Sequence, residues 1–297
     1  MVKLTVFTPT YDRKELLYRC YQSLKSQTNK GFIWLIIDDG SQDDTKKEVE
    51  TWISETTEFE IRYIYKENGG LYTTYNTAIE AIDTELCVCI DSDDYMPGDA
   101  VEKILNFWQA SGSNDIAGIV GLDYYTNGQV IGDMFPKTKT INLIDLLTGK
   151  SGIVNGDRTN VVRTELYKKV APLIGFDGEK DFNPHYLHLQ ISLDYDFLVL
   201  NENLRFVEYQ ANGMTANIYK QYCRSPKSFA KTRLLYLSFP NTSFAFKLRH
   251  SIHYVSSCIL AKKLFKGIAE SPCRFLAILS LLPGALLSVY SRYKAKR

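Results

Sequence analysis

Short apolar runs alternate with polar turns along the first hundred residues, and after the first of them each run ends in a turn rich in acids or glycine. Leu4 to Phe7 is apolar and β-prone, and Thr8-Pro9-Thr10-Tyr11 stops it, Pro9 removing a backbone donor. From Arg13 to Gln27 the residues Leu16, Leu17, Cys20, Tyr21 and Leu24 fall at helical spacing, with Asp12 as the expected N-cap. Phe32 to Ile37 is a continuous apolar run, as in a strand covered on both faces. It stops at Asp38-Asp39-Gly40-Ser41, where Ser41 or Asp43 is expected to cap a helix reaching about Ser54. Ile61 to Tyr65 predicts a third strand, closed by Glu67-Asn68-Gly69-Gly70, and a helix from about Tyr72 to Ile82 follows. Leu86 to Ile90 then drives into Asp91-Ser92-Asp93-Asp94.

Strands alternating with helices imply a parallel sheet with helices on both faces, and such sheets take ligands outside the carboxyl ends of their strands. Acids from separate turns therefore converge on one edge. Carboxylates packed together repel unless a cation sits between them. Hard oxygen ligands at this density suit Mg²⁺ or Mn²⁺, which commonly hold a substrate phosphate too. Helix N-termini at the same edge favour a diphosphate. The plainer reading of each acid is a solvated strand end or helix cap. No GxGxxG and no GxxxxGK[ST] follows the first strand, which argues against a dinucleotide enzyme and a P-loop NTPase.

Thr8-Pro9-Thr10-Tyr11-Asp12-Arg13, Ile37-Asp38-Asp39-Gly40-Ser41 with Asp44-Thr45, Asn68-Gly69-Gly70 with Asn76, and Asp91-Ser92-Asp93-Asp94 occur in that order. This series resembles the family 2 glycosyltransferases over roughly residues 3–110. The resemblance implies the GT-A fold, an α/β architecture with a mostly parallel, Rossmann-like sheet flanked by helices. It also implies a nucleotide-diphosphate-sugar donor, usually a UDP-sugar, and a divalent metal. By position Thr8, Pro9 and Tyr11 would line the nucleotide pocket and Asp39 would hydrogen-bond the base. Arg13, Asn68, Gly69, Asn76, Asp91 and Ser92 complete the donor-binding set. Asp91 and Asp93 match the DxD pair, Asp93 being the expected direct metal ligand.

Beyond residue 110 the pattern is looser. Ile116 to Leu122 is apolar, Asn127-Gly128 marks a hairpin, and Ile141 to Leu147 suggests a short helix. Asn155-Gly156-Asp157-Arg158 and Val161-Val162-Arg163 are expected in polar turns before a helix at Glu165 to Val170. A longer helix is expected over Pro184 to Asn201, with Leu187, Ile191, Asp194 and Leu198 on one face. An inverting transfer needs a carboxylate to deprotonate the acceptor hydroxyl, and Glu179 and Asp194 are the candidates. Glu179 is preferred, because Gly178-Glu179-Lys180, Asp157-Arg158 and Glu208-Tyr209 through Gly213-Met214-Thr215-Ala216-Asn217 resemble a subset of the family. The inserted Asp181 departs from that pattern. The histidine pairs His185/His188 and His250/His253 lack a third ligand and carry little metal-binding weight.

Charge divides the 297 residues unevenly. Net charge is +1, but from Cys223 onward fourteen Lys or Arg face one acid, Glu270, which leaves 21 basic and 33 acidic residues before it. Such a split predicts a catalytic domain over 1–222, with a nucleotide-sugar half to about 110 and an acceptor half from about 111. A basic helical tail follows over 223–297. Phe275 to Tyr290 is nearly all apolar but broken by Pro283-Gly284, short of the roughly 20 residues of a membrane span. The tail is expected to bind an anionic membrane surface, and no nucleic-acid motif accompanies it. The first strand starts at Lys3 with no apolar leader ahead of it, and the six cysteines form no CxxC pair. Both features predict a cytoplasmic protein, peripheral on the inner face of the membrane. The function these features predict is sugar transfer to a glycan or lipid-linked glycan in cell-surface polysaccharide synthesis. A nucleotidyltransferase and a non-catalytic sugar-nucleotide-binding module are the rivals.

Overall fold

The apolar runs become the strands of an eight-stranded sheet. In the computed structural model, which describes residues 3–153, 156–210, 213 and 216–296, the chain divides into two compact units. The first comprises residues up to Leu173 together with Leu187–Glu208, and the second Ile174–Tyr186 with Tyr209 onward.

In the first unit, strands and helices alternate as β1 (Leu4–Thr10), α1 (Lys14–Lys25), β2 (Phe32–Asp38), α2 (Thr45–Glu55), β3 (Glu60–Tyr65), α3 (Leu71–Ala81), β4 (Leu86–Cys89) and α4 (Ala100–Ser111). Then follow β5 (Ile116–Tyr125), β6 (Thr140–Ile141), α5 (Leu143–Thr148), β7 (Arg158–Arg163), α6 (Thr164–Val170), α7 (His185–Ile191), whose first two residues belong to the second unit, and β8 (Asp196–Val207). The strand order is β3-β2-β1-β4-β7-β5-β8-β6. β3, β2, β1 and β4 run parallel, and β7 is antiparallel to both β4 and β5. All seven residues of β1 and of β2 are buried, because helices cover both faces. One face packs Val6, Trp34 and Ile36 against Leu17 of α1, Trp52 of α2 and Ile104 of α4. On the other, Phe7 meets Tyr75 of α3 edge to face.

Two expectations from the middle of the chain fail. Arg158–Arg163 is a strand and not a polar turn, since Thr159, Val161 and Val162 pair β7 into the sheet on both sides. The helix over Pro184–Asn201 stops at Ile191, and Phe197-Leu198-Val199-Leu200 continue as strand β8, parallel to β5. Helical spacing of Leu187, Ile191 and Leu198 loses there to a β-prone apolar run that the sheet can bury. Gly118 makes the crossing of β7 and β5 possible: its φ is +152°, and a Cβ there would fall 1.9 Å from the Val161 carbonyl oxygen.

The second unit is helical, with α8 (Ile218–Arg224), α9 (Pro226–Ser238), α10 (Phe244–Leu260), α11 (Leu264–Glu270), α12 (Arg274–Leu279) and α13 (Leu281–Ala295). Leu237, Tyr254 and Cys258 form its core, and the Tyr254 hydroxyl donates to the Gly267 carbonyl at 2.8 Å. Residue 222, the expected boundary, falls inside α8. Among the described residues no helix is long and apolar enough to cross a membrane. Asn155, Met214 and Thr215, which belong to the middle-region motifs, lie outside the described residues.

Candidate active site

The carboxyl ends of β1, β2 and β4 carry the residues singled out in the sequence, and backbone pairing joins their turns. Asp12 is not the N-cap of α1, a position taken by Arg13. Held at φ 48°, it links the turns after β1 and β2: its amide donates to Ser41 Oγ at 2.9 Å, and its Oδ1 accepts from the Gln42 amide at 2.6 Å. Asp43, not Ser41, receives the first amide of α2, from Thr45 at 3.0 Å.

Asp38 and Asp39 take different tasks. Asp38 is fully buried and accepts from the Ser41 amide at 2.7 Å and the Tyr63 hydroxyl at 2.6 Å, which makes it a structural strand end. Asp39 accepts from Lys66 Nζ at 2.7 Å and from the Gly69 and Gly70 amides at 2.9 and 2.8 Å. It thereby folds the Asn68-Gly69-Gly70 turn back onto β2. Thr8 and Pro9 are buried, and the Thr8 hydroxyl accepts from the Trp34 indole at 3.0 Å, so its side chain serves the core and not a pocket wall. Tyr11 is 47% exposed at the same edge. Asn76 also departs from its expected role. Its amide group bonds the Leu173 backbone twice, at 3.0 and 2.8 Å, which leaves it a clamp on the chain and not a donor ligand.

The acidic turn after β4 is the most charged place in the unit. Ser92 and Asp94 are buried, while Asp91 keeps 46% of its side chain exposed. Arg13 Nη1 lies 3.0 Å from Asp93 Oδ2. Arg19 donates to the Asp93 carbonyl and pairs with Glu208. Beneath the turn sits Arg205, 3.3 Å from Asp94 and 3.9 Å from Asp91, and bonded to the fully buried Asp123. Asp123 also accepts from the Thr159 hydroxyl at 2.5 Å. Two hydrogen bonds between Tyr95 and Phe206, at 3.2 and 2.8 Å, pin the turn to β8 and set Arg205 next to it.

Four carboxylates, Asp91, Asp93, Asp94 and Asp123, thus share their surroundings with three guanidiniums, those of Arg13, Arg19 and Arg205. Burial pushes the Asp94 carboxyl up to about 8, with Asp91 and Asp93 adding to the rise and Arg205 opposing it. Burial raises Asp123 as well. Arg205 is held well above its ordinary value by Asp123, Asp94 and Asp91, against the pull of burial. Asp91 keeps almost half of its side chain open to solvent at the edge of this cluster. That donor set fits a divalent cation held by Asp91 and Asp93, with phosphate oxygens completing the shell.

The two candidate bases stand in different units, Asp194 in the first and Glu179 in the second. Asp194 is exposed in the turn before β8, whereas the acidic cluster lies beyond that strand's other end. Asp196 pairs with Ile116 and Arg205 with Asp123, so the two ends of β8 are separated by seven residues of β5, about 23 Å. Glu179, in the second unit, is buried and caps α9. Pro226 at the first helical position has no N–H, and the next two amides, Lys227 and Ser228, donate to the Glu179 carboxylate at 2.9 and 2.8 Å. The Ser228 hydroxyl adds a third bond at 2.7 Å. Both oxygens are therefore committed to the helix.

Arg205 and Asp123 were not anticipated as site residues. Asp123 was findable, since it ends the run Ile116 to Leu122 as Asp38 and Asp91 end theirs. Arg205 had no such signal, because it lies on a strand that helical spacing had hidden.

The family model for glycosyl transferase family 2 matches residues 5–163. Over 102 residues the chain is 33% identical to glycosyltransferase GlyA of Streptococcus pneumoniae, covering 34% of this chain and 14% of that one. It is 32% identical over 102 residues to the teichoic acid poly(glycerol phosphate) polymerase of Staphylococcus epidermidis, with the same coverages. The chain thus spans about a seventh of the length of those relatives. Among solved structures it superposes on TarS 1-349 of S. aureus in complex with UDP-GlcNAc, with TM-score 0.62, 17% identity, and 98% of this chain and 92% of that one covered. It also superposes on the mannosyltransferase PcManGT of Pyrobaculum calidifontis in complex with GDP-Man and Mn²⁺, with TM-score 0.58, 16% identity and coverages of 99% and 83%. At such identities the superpositions speak for a shared GT-A fold.

Proposed function

Because the chain belongs to glycosyl transferase family 2, we propose that it moves a sugar from a nucleoside-diphosphate donor to a hydroxyl of a glycan or lipid-linked glycan in cell-surface polysaccharide synthesis. The observation that carries this reading is the acidic turn at the carboxyl edge, where Asp91 is open to solvent beside Asp93. Asp91 and Asp93 would hold a divalent cation, Mn²⁺ or Mg²⁺, which when bound neutralises charge gathering on the departing diphosphate. Arg13, already at 3.0 Å from Asp93, offers a second cation for the same phosphates. Asp39, fixed by Lys66 and two glycine amides, keeps the turn after β3 closed beside the nucleotide. A UDP-sugar is the first donor to test, in view of the UDP-GlcNAc complex of the structural relative. Inversion is the stereochemistry that the family resemblance implies. The positive second unit supports work at the inner membrane face.

A second reading has a specific observation behind it. Glu179 caps α9 and Asp194 lies at the far sheet edge, which favours a module that binds sugar nucleotide without transferring it. Titration calorimetry with UDP, with and without Mn²⁺, on the wild type and Asp93→Ala separates these possibilities from failure of the site itself. Metal-dependent binding lost in Asp93→Ala is the expected result. Binding of equal strength in both proteins would refute the donor site. Intact binding with no transfer and no donor hydrolysis would select the non-catalytic module.

A further inference from the structure

The last two helices are inside out. Apart from Leu276, their buried positions are small residues, Ala277, Ser280, Gly284, Ser288 and Ser291, which recur every three or four residues across both helices. This face packs on α10 so closely that a Cβ on Gly284 would fall 2.7 Å from Val255 Cγ1. The outward face is large and apolar: Phe275 is 73% exposed, Leu279 53%, Leu282 72%, Leu286 64%, Val289 64% and Tyr293 51%. An ordinary surface helix buries its large apolar stripe and shows polar groups to water. Small residues between helices with bulky apolar ones outside is the packing found in lipid. A continuous bare apolar stripe of this kind marks an interaction surface.

Charge identifies the occupant. From Cys223 onward the chain carries fourteen basic residues and one acid. Arg274 opens α12, and Arg292 and Lys294 stand exposed in the last turn of α13. Lys262, Lys263 and Lys266 surround Phe265, itself 88% exposed. A second copy on this face would bring two strongly positive surfaces together, which repel. Acidic phospholipid headgroups would instead neutralise each basic side chain. The 15 residues of α13 extend about 22 Å, and no described helix is fit to cross a bilayer. The face therefore lies along a surface and does not span it.

We propose that the outer face of α12 and α13 seats in the headgroup region of an anionic bilayer, with Phe275, Leu279, Leu282, Leu286 and Val289 among the acyl chains and the flanking Lys and Arg on the phosphates. This deepens, and rests on, the membrane-surface part of the proposed function, and it is independent of the donor site.

The test is flotation of the full chain with vesicles of phosphatidylglycerol and phosphatidylcholine, against phosphatidylcholine alone. The wild type is expected to float with the anionic vesicles only, and less as salt rises. Leu282→Glu/Leu286→Glu, on an exposed face, is expected to weaken partitioning at least about a hundredfold while keeping its melting temperature and UDP binding. In Leu286→Trp, which keeps the face apolar, the added indole should be quenched by brominated acyl chains. Unchanged flotation of the double variant, equal binding to neutral vesicles, or no quenching of the indole in Leu286→Trp would each overturn the proposal. So would a lipid-free dimer that the double variant abolishes while the wild type ignores vesicles, since a second copy would then be the occupant. Flotation without UDP binding would sink the donor reading alone, and UDP binding without flotation would sink only this one.

Discussion

Arg205→Met should show how the acidic turn is held. The guanidinium is 13% exposed, bonds Asp123, whose side chain is 0% exposed, and lies 3.3 Å from Asp94. Removing one partner of a buried ion pair costs about 3–5 kcal/mol, because the remaining charge is left unpaired. For a unit of this size each kcal/mol shifts the melting temperature by about 2–4 °C, so a fall of roughly 6–20 °C is expected. The sign of its pH dependence follows from the raised carboxyls. A group whose folded pKa lies above its unfolded value stabilises the fold at low pH and loses that contribution as pH rises through the folded value, about 8 for Asp94. Without Arg205 these carboxyls rise further, and the deficit should be larger at pH 8 than at pH 5. Asp123→Asn in the same chain removes the buried charge and should recover part of the loss. Differential scanning calorimetry of the two variants at both pH values checks this. A single-variant shift below about 2 °C, a deficit independent of pH, or a double variant no better than the single would refute the reasoning.

Other outcomes follow from the same contacts. Glu179→Ala should cost about 1–2 kcal/mol by stripping the cap from α9, seen as a lower melting temperature, and Glu179→Gln should restore part of it. A loss of turnover in Glu179→Gln at unchanged stability would return Glu179 to the role of base. Asn76→Ala should lower stability by about 1–3 kcal/mol without changing UDP affinity, measured by urea unfolding and calorimetry. In the second unit, burial and the nearby Arg233 push His250 down to about 3 and His253 down to about 4. Depressed histidines are neutral when folded and protonate on unfolding, so stability should fall as pH drops below about 6.5 toward 4. After halving for solvent screening, each contributes about 1 kcal/mol at pH 5. His250→Gln should flatten the melting temperature's dependence on pH between 7 and 5.

The alternating half of the chain was legible because β1 to β4 and α1 to α4 are local objects. Each strand is an apolar run ended by a turn residue with its own reason to stop, and parallel pairing follows from the helices between them. The acidic edge was legible for the same reason, since parallel strands must deliver their carboxyl-end turns to one side. β7 and β8 were not, because their partners are remote in sequence: Val161 pairs with Val88 and Ile119, and Leu198 with Ile119. Spacing within a segment carries no trace of such pairing.

By itself, then, the sequence determined the family, the mostly parallel sheet, the edge where its acids collect and the positive charge of the last 75 residues. Those properties depend on residue type and near-neighbour order. Only the tertiary structure decided what each side chain does there. It turned Thr8 into the core, tied Asn76 to Leu173, placed Asp194 at the opposite sheet edge and committed both oxygens of Glu179 to a helix end. It brought Arg205 beneath Asp91 and Asp94 through the pairing of Tyr95 with Phe206. It also turned the small residues of α12 and α13 inward and left their leucines bare. Side-chain roles are set by partners that lie as many as 189 residues away along the chain, and hydrogen bonds and packing act only once folding has brought those partners within a few ångströms.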